Sequence, residues 1–363
     1  MTHLLFSYFD TLLSKTPSSG RALPELDGLR GFAVLIVIAS HSNLLSMRGQ
    51  GAMGVWLFYV LSGFLLTNIL LATLPQSLSA PGLKKYLIRR VARILPLYYL
   101  CLVAVAVLLD RDLGWLFLHA TFQRANHHFW SIPQEELFYV LLPVLVAIII
   151  GLNRITSLSQ MWLSLVLLVA VQTSFPLLRL HGNARMLPFY INVFIIGFFI
   201  AFLSREEKFR RFLRSPTSIP VVNAGSLLVL ATILFTAPAH MDFYHRHLGV
   251  PIVALAWRHT SAAGALCGAL LLATLKPGTW ANRFFSWKPL RILGILSFSL
   301  YLVHWFVLAK LSTLFQTTQE TSLFLTTLIA STLVALVLER WVERPAMRLG
   351  RRATGRYDVG APQ

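Results

Sequence analysis

The sequence predicts an all-α, polytopic integral membrane protein with about ten transmembrane helices. Of its 363 residues, 56% are hydrophobic and 13% are charged, and the mean hydropathy is +0.66. Soluble domains usually carry about 25% charged residues. Apolar stretches long enough to cross about 30 Å of hydrocarbon recur from residue 29 to residue 341. Such stretches must be helical, because a bilayer offers no water to bond the backbone.

The order of the apolar stretches sets the expected topology. An even number of spans places both termini on one side of the membrane. Most of the 32 Lys and Arg residues then lie on that same side, which the positive-inside rule identifies as the cytoplasm. We expect a transmembrane domain over 1–345 and a basic, disordered cytoplasmic tail over 346–363. The expected spans are 29–46, 54–74, 92–109, 135–150, 160–178, 187–203, 220–236, 252–274, 291–313 and 320–341.

Composition argues against several other classes of protein. The net charge of +18 is divided among loops rather than gathered on a soluble domain, so no nucleic-acid partner is expected. Cys101 and Cys267 lie inside apolar stretches and indicate no disulfide framework. The histidines lack a convincing ligand constellation, so no metal site is expected.

Arg30 and His41 are the ionisable residues of the first expected span. Their separation of eleven residues is close to three helical turns, which puts both side chains on one helix face. Imidazole accepts a hydroxyl proton near neutral pH, and guanidinium holds phosphate bidentately. This face therefore suits a phosphate-rich donor and an activated hydroxyl. The alternative is a buried histidine with a purely structural role.

The ninth expected span carries a polar stripe of Ser297, Tyr301 and His304 at positions i, i+4 and i+7. A polar stripe inside a span faces protein or water. Counting from Arg291 gives His304 a depth comparable with that of His41, so the two histidines are expected to line one cavity. The alternative is a hydrogen bond from His304 to a neighbouring helix.

Two further clusters complete the candidate site. Glu135 and Glu136 follow Pro133 at the outer start of the fourth expected span. Glu135 suits a histidine partner or a hydrogen-bond acceptor for substrate, although helix capping is the alternative. Arg90 and Arg93, at the cytoplasmic entry of the third expected span, would form a trivalent anion site with Arg30. Snorkelling to lipid headgroups is the alternative for these arginines.

Taken together, these stretches resemble the acyltransferase-3 family of bacterial membrane O-acyltransferases over most of the chain, from Leu26 to Pro345. Residues Pro133, Gln134 and Leu137, and Trp56 in the second span, depart from the family's more usual residues. The matching motifs are Leu26 to Gly31 followed by His41, Gly54 to Phe64, Arg90 to Arg93, Trp130 to Tyr139, Ser297 to His304, and Glu343 to Pro345.

The resemblance implies transfer of a short acyl group, usually acetyl, from cytoplasmic acyl-CoA to a hydroxyl of a glycan, lipopolysaccharide or similar acceptor. It makes His41 the catalytic base or acyl carrier. It matches Arg30, Arg90 and Arg93 with motif arginines that are expected to support donor binding or the active conformation. From their placement in the expected spans, we expect Glu135 and His304 to assist His41. We expect four further residues to contact substrate: Trp130, Ser131, Tyr139 and Tyr301.

The expected partners are a glycan or glycolipid acceptor and the lipids of the bacterial cytoplasmic (inner) membrane. A transporter or flippase is the main alternative, because buried His and Arg residues also line solute and proton paths. A sensory or scaffolding membrane protein is the second alternative. Only an acyltransferase would consume acyl-CoA.

Overall fold

The computed structural model describes residues 13, 23–124, 127–178, 190–236, 246–247, 260–315 and 319–355. These residues form helices and connecting turns, and none of them lies in a β-strand. The helices, in chain order, are α1 (Pro24–His41), α2 (Gly51–Ala72), α3 (Ala80–Leu108), α4 (Leu113–Ala120), α5 (Ser131–Ile155), α6 (Gln160–Leu178), α7 (Ile191–Leu203), α8 (Glu207–Arg214), α9 (Ile219–Phe235), α10 (Thr260–Leu275), α11 (Trp280–Phe285), α12 (Lys288–Ile295), α13 (Ser297–Phe315), α14 (Glu320–Leu338) and α15 (Arg344–Thr354).

The all-α class is confirmed for the described part of the chain, but the count of about ten spans is not. Six helical segments there are long and apolar enough to cross a membrane. Helices α6, α7 and α10 are apolar but shorter in their described portions. The expected spans 187–203 and 252–274 both begin outside the described residues. The total of ten spans and the cytoplasmic side of both termini stay predictions.

Helix α3 begins twelve residues before the expected span at residue 92. Ser79 caps its N-terminus by accepting a hydrogen bond from the Gly82 backbone at 3.3 Å, and Pro81 occupies the first turn. The helix thus extends beyond the expected apolar span, because its first turns carry basic residues that lower the local hydropathy. Arg90 and Arg93 therefore lie in the interior of a long helix rather than at its start.

Helix α1 packs against α2, α12 and α13. Its contact with α12 brings the two backbones together: a Cβ built on Gly294 would lie 1.6 Å from the Asp27 carbonyl oxygen, and one on Gly31 would lie 2.0 Å from that of Leu290. Small residues at helix crossings allow this approach in membrane proteins. Gly31 and Gly294 thus allow α1 to pack closely against α12, whereas Gly28 packs against Phe285 of α11.

Two element boundaries matter for the site. Helix α1 ends at His41 rather than at residue 46, so His41 occupies the C-terminal turn of its helix. The expected span 291–313 is divided at Leu296 into α12 and α13, and Ser297, Tyr301 and His304 all lie on α13.

Helix α15 reaches Thr354, in contrast to the disorder expected from residue 346 onward, and Gly350 packs against Ala92 of α3. Residues 356–363 lie outside the described residues.

Candidate functional site

His41 and His304 meet directly. His41 Nδ1 lies 2.9 Å from His304 Nε2, and the two rings stack with their centroids 5.0 Å apart. Helix α1 brings His41 from its last turn, and α13 brings His304 from its second turn. His304 is fully buried, whereas His41 is half-buried. The two histidines expected to share a cavity therefore form one hydrogen-bonded pair.

The backbone of α13 determines which nitrogen of His304 carries the proton. His304 Nδ1 lies 2.7 Å from the Tyr301 carbonyl oxygen and 3.3 Å from that of Leu300. A carbonyl can only accept, so Nδ1 is the protonated nitrogen. Nε2 of a neutral His304 is then the acceptor, and His41 donates to it from Nδ1. This leaves His41 Nε2 without a proton, which is the form of a general base.

Aromatic rings surround the histidine pair. His128 contacts the His304 ring edge-on at 5.5 Å, and its Nε2 donates to the Leu302 carbonyl oxygen at 2.9 Å. Trp305 contacts the His41 ring at 4.9 Å in a T-shaped geometry. Neither His128 nor Trp305 was predicted as a site residue. Their proximity to Trp130 and His304 in the sequence was the available signal.

A cavity of about 690 Å³, including its open mouth, lies beside the histidine pair. Neither His41 nor His304 is among the described residues that line it. The cavity brings together most of the other predicted site residues from four helices, namely Arg30, Arg90, Arg93, Ser131, Glu135, Tyr139, Ser297 and Tyr301.

Three arginines make this cavity strongly basic. Arg93, Asp27 and Glu135 lie close enough to Arg30 to act on its charge. Arg90 Nε is buried and has no hydrogen-bond partner among the described residues. Burying a guanidinium N–H without an acceptor costs free energy. An anionic ligand reaching this wall would supply the missing acceptor.

Glu135 accepts two hydrogen bonds in the same cavity. Its Oε1 accepts the hydroxyl of Ser62 at 2.7 Å and also the hydroxyl of Tyr139. Ser62 belongs to the Gly54 to Phe64 motif but was not predicted as a site residue. The structure does not place Glu135 against either histidine of the pair, so its contact with Tyr139 replaces the expected histidine partnership.

Tyr301 connects the cavity with the histidine pair. Its side chain lines the cavity, and its carbonyl oxygen accepts from His304. The Tyr301 hydroxyl accepts from Ser131 at 2.8 Å and donates to the His128 carbonyl oxygen. These bonds tie α13 to the start of α5, so the two parts of the site are held in one fixed relation.

Trp130, like the two histidines, is a predicted site residue that is not among the described residues lining the cavity. Its ring packs against Tyr190 at 5.1 Å and Tyr59 at 6.3 Å. Tyr59 in turn stacks on Phe194 at 4.1 Å and donates to the Ser131 carbonyl oxygen at 3.3 Å. These contacts give Trp130 a packing position behind the cavity wall.

Glu343, from the closing Glu343 to Pro345 motif, approaches the arginine cavity from the turn that follows α14. It is buried, accepts the Ser299 hydroxyl at 2.9 Å and lies close enough to Arg93 and Arg30 for its charge to interact with theirs. A π-helical turn, Glu339–Glu343, precedes α15. Arg344 clamps Glu339 across this turn with bonds of 2.9 and 3.1 Å. The motif therefore supplies a counter-charge to the arginines.

Within the described ranges, no three His, Cys, Asp or Glu side chains are grouped so that they could hold a metal ion. The residues gathered at the site offer a histidine base, a carboxylate with hydroxyl donors, and three guanidinium groups.

Comparison with known proteins gives a consistent result. A family model described as an acyltransferase domain matches residues 23–340. Peptidoglycan O-acetyltransferase OatA of Listeria monocytogenes is 27% identical, over 92% of this chain and 57% of its own length. O-acetyltransferase OatA of Staphylococcus aureus is 24% identical, over 92% of this chain and 59% of its own length. A putative peptidoglycan O-acetyltransferase, YrhL of Bacillus subtilis, is 26% identical over 78% of this chain and 48% of its own length.

The chain thus spans a little over half the length of the first two of these relatives. No solved structure matches it.

Proposed function

Because the chain belongs to the acyltransferase-3 family, an enzyme family of multi-pass membrane proteins, we propose that it transfers an acetyl group to a hydroxyl of a glycan. The hydrogen bond between His41 and His304 is the observation that supports this proposal most directly. It gives His41 an unprotonated Nε2, and a general base must present such a nitrogen to the hydroxyl that it activates.

The relatives support acetyl as the transferred group and peptidoglycan as the acceptor to test first. Two of them carry peptidoglycan O-acetylation in their names. The matched region is the membrane domain of this family, and it contains every residue of the histidine pair and the arginine cavity. A glycolipid or lipopolysaccharide acceptor would present the same hydroxyl chemistry. The enzyme would work in the bacterial cytoplasmic membrane.

Acetyl-CoA is the donor that we propose. CoA carries several phosphate charges, and guanidinium groups bind phosphate bidentately. The three arginines of the cavity supply this chemistry, and the buried Nε of Arg90 needs an acceptor. Glu343 would balance part of their charge until the donor binds. Arg30 and His41 share helix α1, so one rigid element would relate the donor phosphates to the base.

The proposed reaction has one proton transfer and one acyl transfer. His41 Nε2 takes the proton of the acceptor hydroxyl while the hydroxyl oxygen bonds to the acetyl carbon. The C–S bond of the thioester breaks, and the thiolate leaves with the proton that His41 returns. Buried His304 accepts from His41 Nδ1 throughout and stabilises the imidazolium. An acyl-histidine intermediate would use the same nitrogen of His41.

The test uses protein purified in lipid nanodiscs, incubated with radiolabelled acetyl-CoA and a soluble disaccharide of N-acetylglucosamine and N-acetylmuramic acid. The proposal expects label in the sugar as an alkali-labile ester, and no label when His41 is replaced by Ala. Uptake of unmodified sugar into sealed vesicles without consumption of acetyl-CoA would instead identify a transporter. Binding without either outcome would contradict the enzymatic proposal.

A further inference from the structure

On both helices of the histidine pair, the histidine comes later in the chain than the residues that line the cavity. His41 follows Arg30 by eleven residues on α1, and His304 follows Ser297 by seven residues on α13. At 1.5 Å per residue these separations amount to roughly 16 and 10 Å along the helix axes. The surface just beyond the pair therefore lies away from Arg30 and Ser297, and Tyr301, three residues before His304, stands between this surface and the cavity that it lines.

Three side chains border this surface, and we call them the rim residues: Trp305, Asn43 and Glu320. Trp305 contacts the His41 ring at 4.9 Å. Asn43 Nδ2 donates to Glu320 Oε1, which joins the segment after α1 to the start of α14. All three rim residues are half-exposed, whereas His304 is fully buried.

The backbone next to the rim is held in an unusual conformation. Asn43, Leu45 and Ser46 have φ values of +58°, +51° and +56°. Left-handed conformations are uncommon for residues other than glycine, and they cluster at sites whose geometry the surrounding structure fixes. This segment begins two residues after His41. Asn43 thus adopts this conformation two residues after the base, where its side chain bonds to Glu320.

The chemistry of the rim suits a sugar ring. A tryptophan offers a broad apolar face with a polar N–H, which matches the C–H face of a pyranose. An amide provides both donors and an acceptor, and a carboxylate accepts hydroxyl hydrogens. Binding sites commonly combine such an apolar surface with a few polar groups that fix orientation.

We propose that the rim residues form a subsite for one hexopyranose unit of the acceptor, with Trp305 as the stacking surface and the Asn43–Glu320 pair as the hydroxyl-binding edge. The proposal rests on the proposed function, because it places the acceptor hydroxyl next to His41 Nε2. The acceptor then approaches the base from the rim, while the donor occupies the arginine cavity on the other side of Tyr301. The two substrates meet at the histidine pair.

The test measures sugar binding without any acyl donor, so that it does not depend on turnover. The probe is the soluble disaccharide of N-acetylglucosamine and N-acetylmuramic acid, titrated against nanodisc-embedded protein by saturation-transfer NMR. Loss of an aromatic contact of about 1.4 kcal/mol corresponds to about tenfold in affinity. Trp305→Ala should therefore weaken disaccharide binding about tenfold, and Glu320→Ala should weaken it several-fold.

Trp162→Ala is the matched control, because Trp162 is exposed on α6 and belongs neither to the rim nor to the cavity. It should leave disaccharide binding unchanged. In turnover assays, Trp305→Ala should raise the KM for the disaccharide while the KM for acetyl-CoA stays within about twofold, a split that general loss of folding would not produce.

The outcomes separate this inference from the proposed function. Equal disaccharide binding by the Trp305→Ala and wild-type proteins would overturn the subsite, even if acetyl transfer proceeds. Absence of disaccharide binding to the wild type would also overturn it. Disaccharide binding that depends on Trp305, with no acetyl transfer from acetyl-CoA, would support the subsite and contradict the proposed function.

Discussion

At the scale of single residues, each histidine of the pair has two nitrogens in different environments. His304 Nδ1 bonds to backbone carbonyls, and its Nε2 faces His41. Each histidine therefore carries its proton on Nδ1: His304 donates to the backbone, and His41 donates to His304. In the proposed mechanism His304 would have the positioning role that a carboxylate has in many hydrolases, with a buried neutral group in place of a buried charge.

We predict that His41→Ala lowers the rate of acetyl transfer by about 10²–10⁴-fold, the usual contribution of a general base. His304→Ala should also lower kcat, because the His41 ring loses the acceptor that fixes its tautomer. Acetyl transfer to the disaccharide is the measurement, with size-exclusion profiles checked for each variant. Substantial activity in a well-folded His41→Ala protein would remove His41 from the mechanism.

We predict that Arg90→Lys raises the KM for acetyl-CoA about tenfold, although net charge is conserved. Lysine offers a point charge and cannot reproduce bidentate phosphate binding, and hydrogen bonds to charged groups contribute about 1.5–3 kcal/mol. Arg93→Lys should behave similarly. Steady-state kinetics with varied acetyl-CoA provides the measurement.

Arg89→Lys is the matched control for Arg90→Lys, since it changes the adjacent residue of α3. Arg89 bonds to Thr354 Oγ1 and the Gly355 carbonyl oxygen at the end of α15, and it is not among the described residues that line the cavity. Its replacement should leave the KM for acetyl-CoA unchanged. Equal KM values for acetyl-CoA in all three lysine variants would contradict a role of Arg90 and Arg93 in donor binding. Membrane topology or packing would then be their role.

At the scale of helices, close packing between α1 and α12 positions both parts of the site. Asp27 and Arg30 lie on the same turns of α1 that meet the Leu290 and Gly294 backbone. A shift of α1 away from α12 would therefore move Arg30 in the cavity and His41 at the helix end together. The glycines of this motif allow the close helix packing that fixes the positions of Arg30 and His41.

We predict that Gly294→Ala destabilises the protein by about 3 kcal/mol, the upper part of the range for overpacking. The added methyl group would lie 1.6 Å from the Asp27 carbonyl oxygen, and a backbone atom cannot move aside as a flexible side chain can. Thermal unfolding in detergent, followed by fluorescence-detected size exclusion, measures the effect.

Gly151→Ala is the control for Gly294→Ala. Gly151 lies in α5, and a Cβ there would meet no atom within 4 Å. This variant should keep the wild-type unfolding temperature or raise it slightly, because alanine favours helix over glycine. Equal unfolding temperatures for the two variants would contradict the close approach of α1 and α12.

At the scale of the whole molecule, orientation in the membrane determines which substrate comes from which side. The charge distribution predicts residues 110–134 outside and residues 204–215 inside. In the described structure, the second of these segments contains the basic amphipathic helix α8. The buried Lys276 fixes its end by donating to the carbonyl oxygens of Phe212, Leu213 and Ser215 at 2.7–3.1 Å.

We predict that an impermeant thiol reagent labels a Gln123→Cys variant in intact cells but leaves a Lys208→Cys variant unlabelled until the membrane is opened. Both positions are exposed, and the native Cys101 and Cys267 are buried, so background labelling should be small. Labelling of Lys208→Cys alone in intact cells would invert the orientation and the direction of transfer.

From the sequence alone we could predict the all-α class, the family and most of the candidate residues. Hydrophobicity and helical spacing are local properties, so the stripe of Ser297, Tyr301 and His304 could be read directly. The motif order from Arg30 to Glu343 likewise indicated a shared site before any contact was known. Helix boundaries were harder to predict where basic residues precede the apolar stretch of a helix, as they do on α3.

How these residues are grouped depends on the tertiary structure. The sequence could not show that Glu135 bonds to Ser62 rather than to a histidine, because Ser62 lies on α2 and meets α5 through helix packing. The bond to Tyr139, four residues later on the same helix, is compatible with helical spacing alone. The sequence also could not show that Trp130 packs behind the cavity, or that Trp305 contacts His41. Sequence spacing fixes which face of one helix a side chain occupies, whereas contacts between helices depend on crossing positions set by packing over the whole bundle.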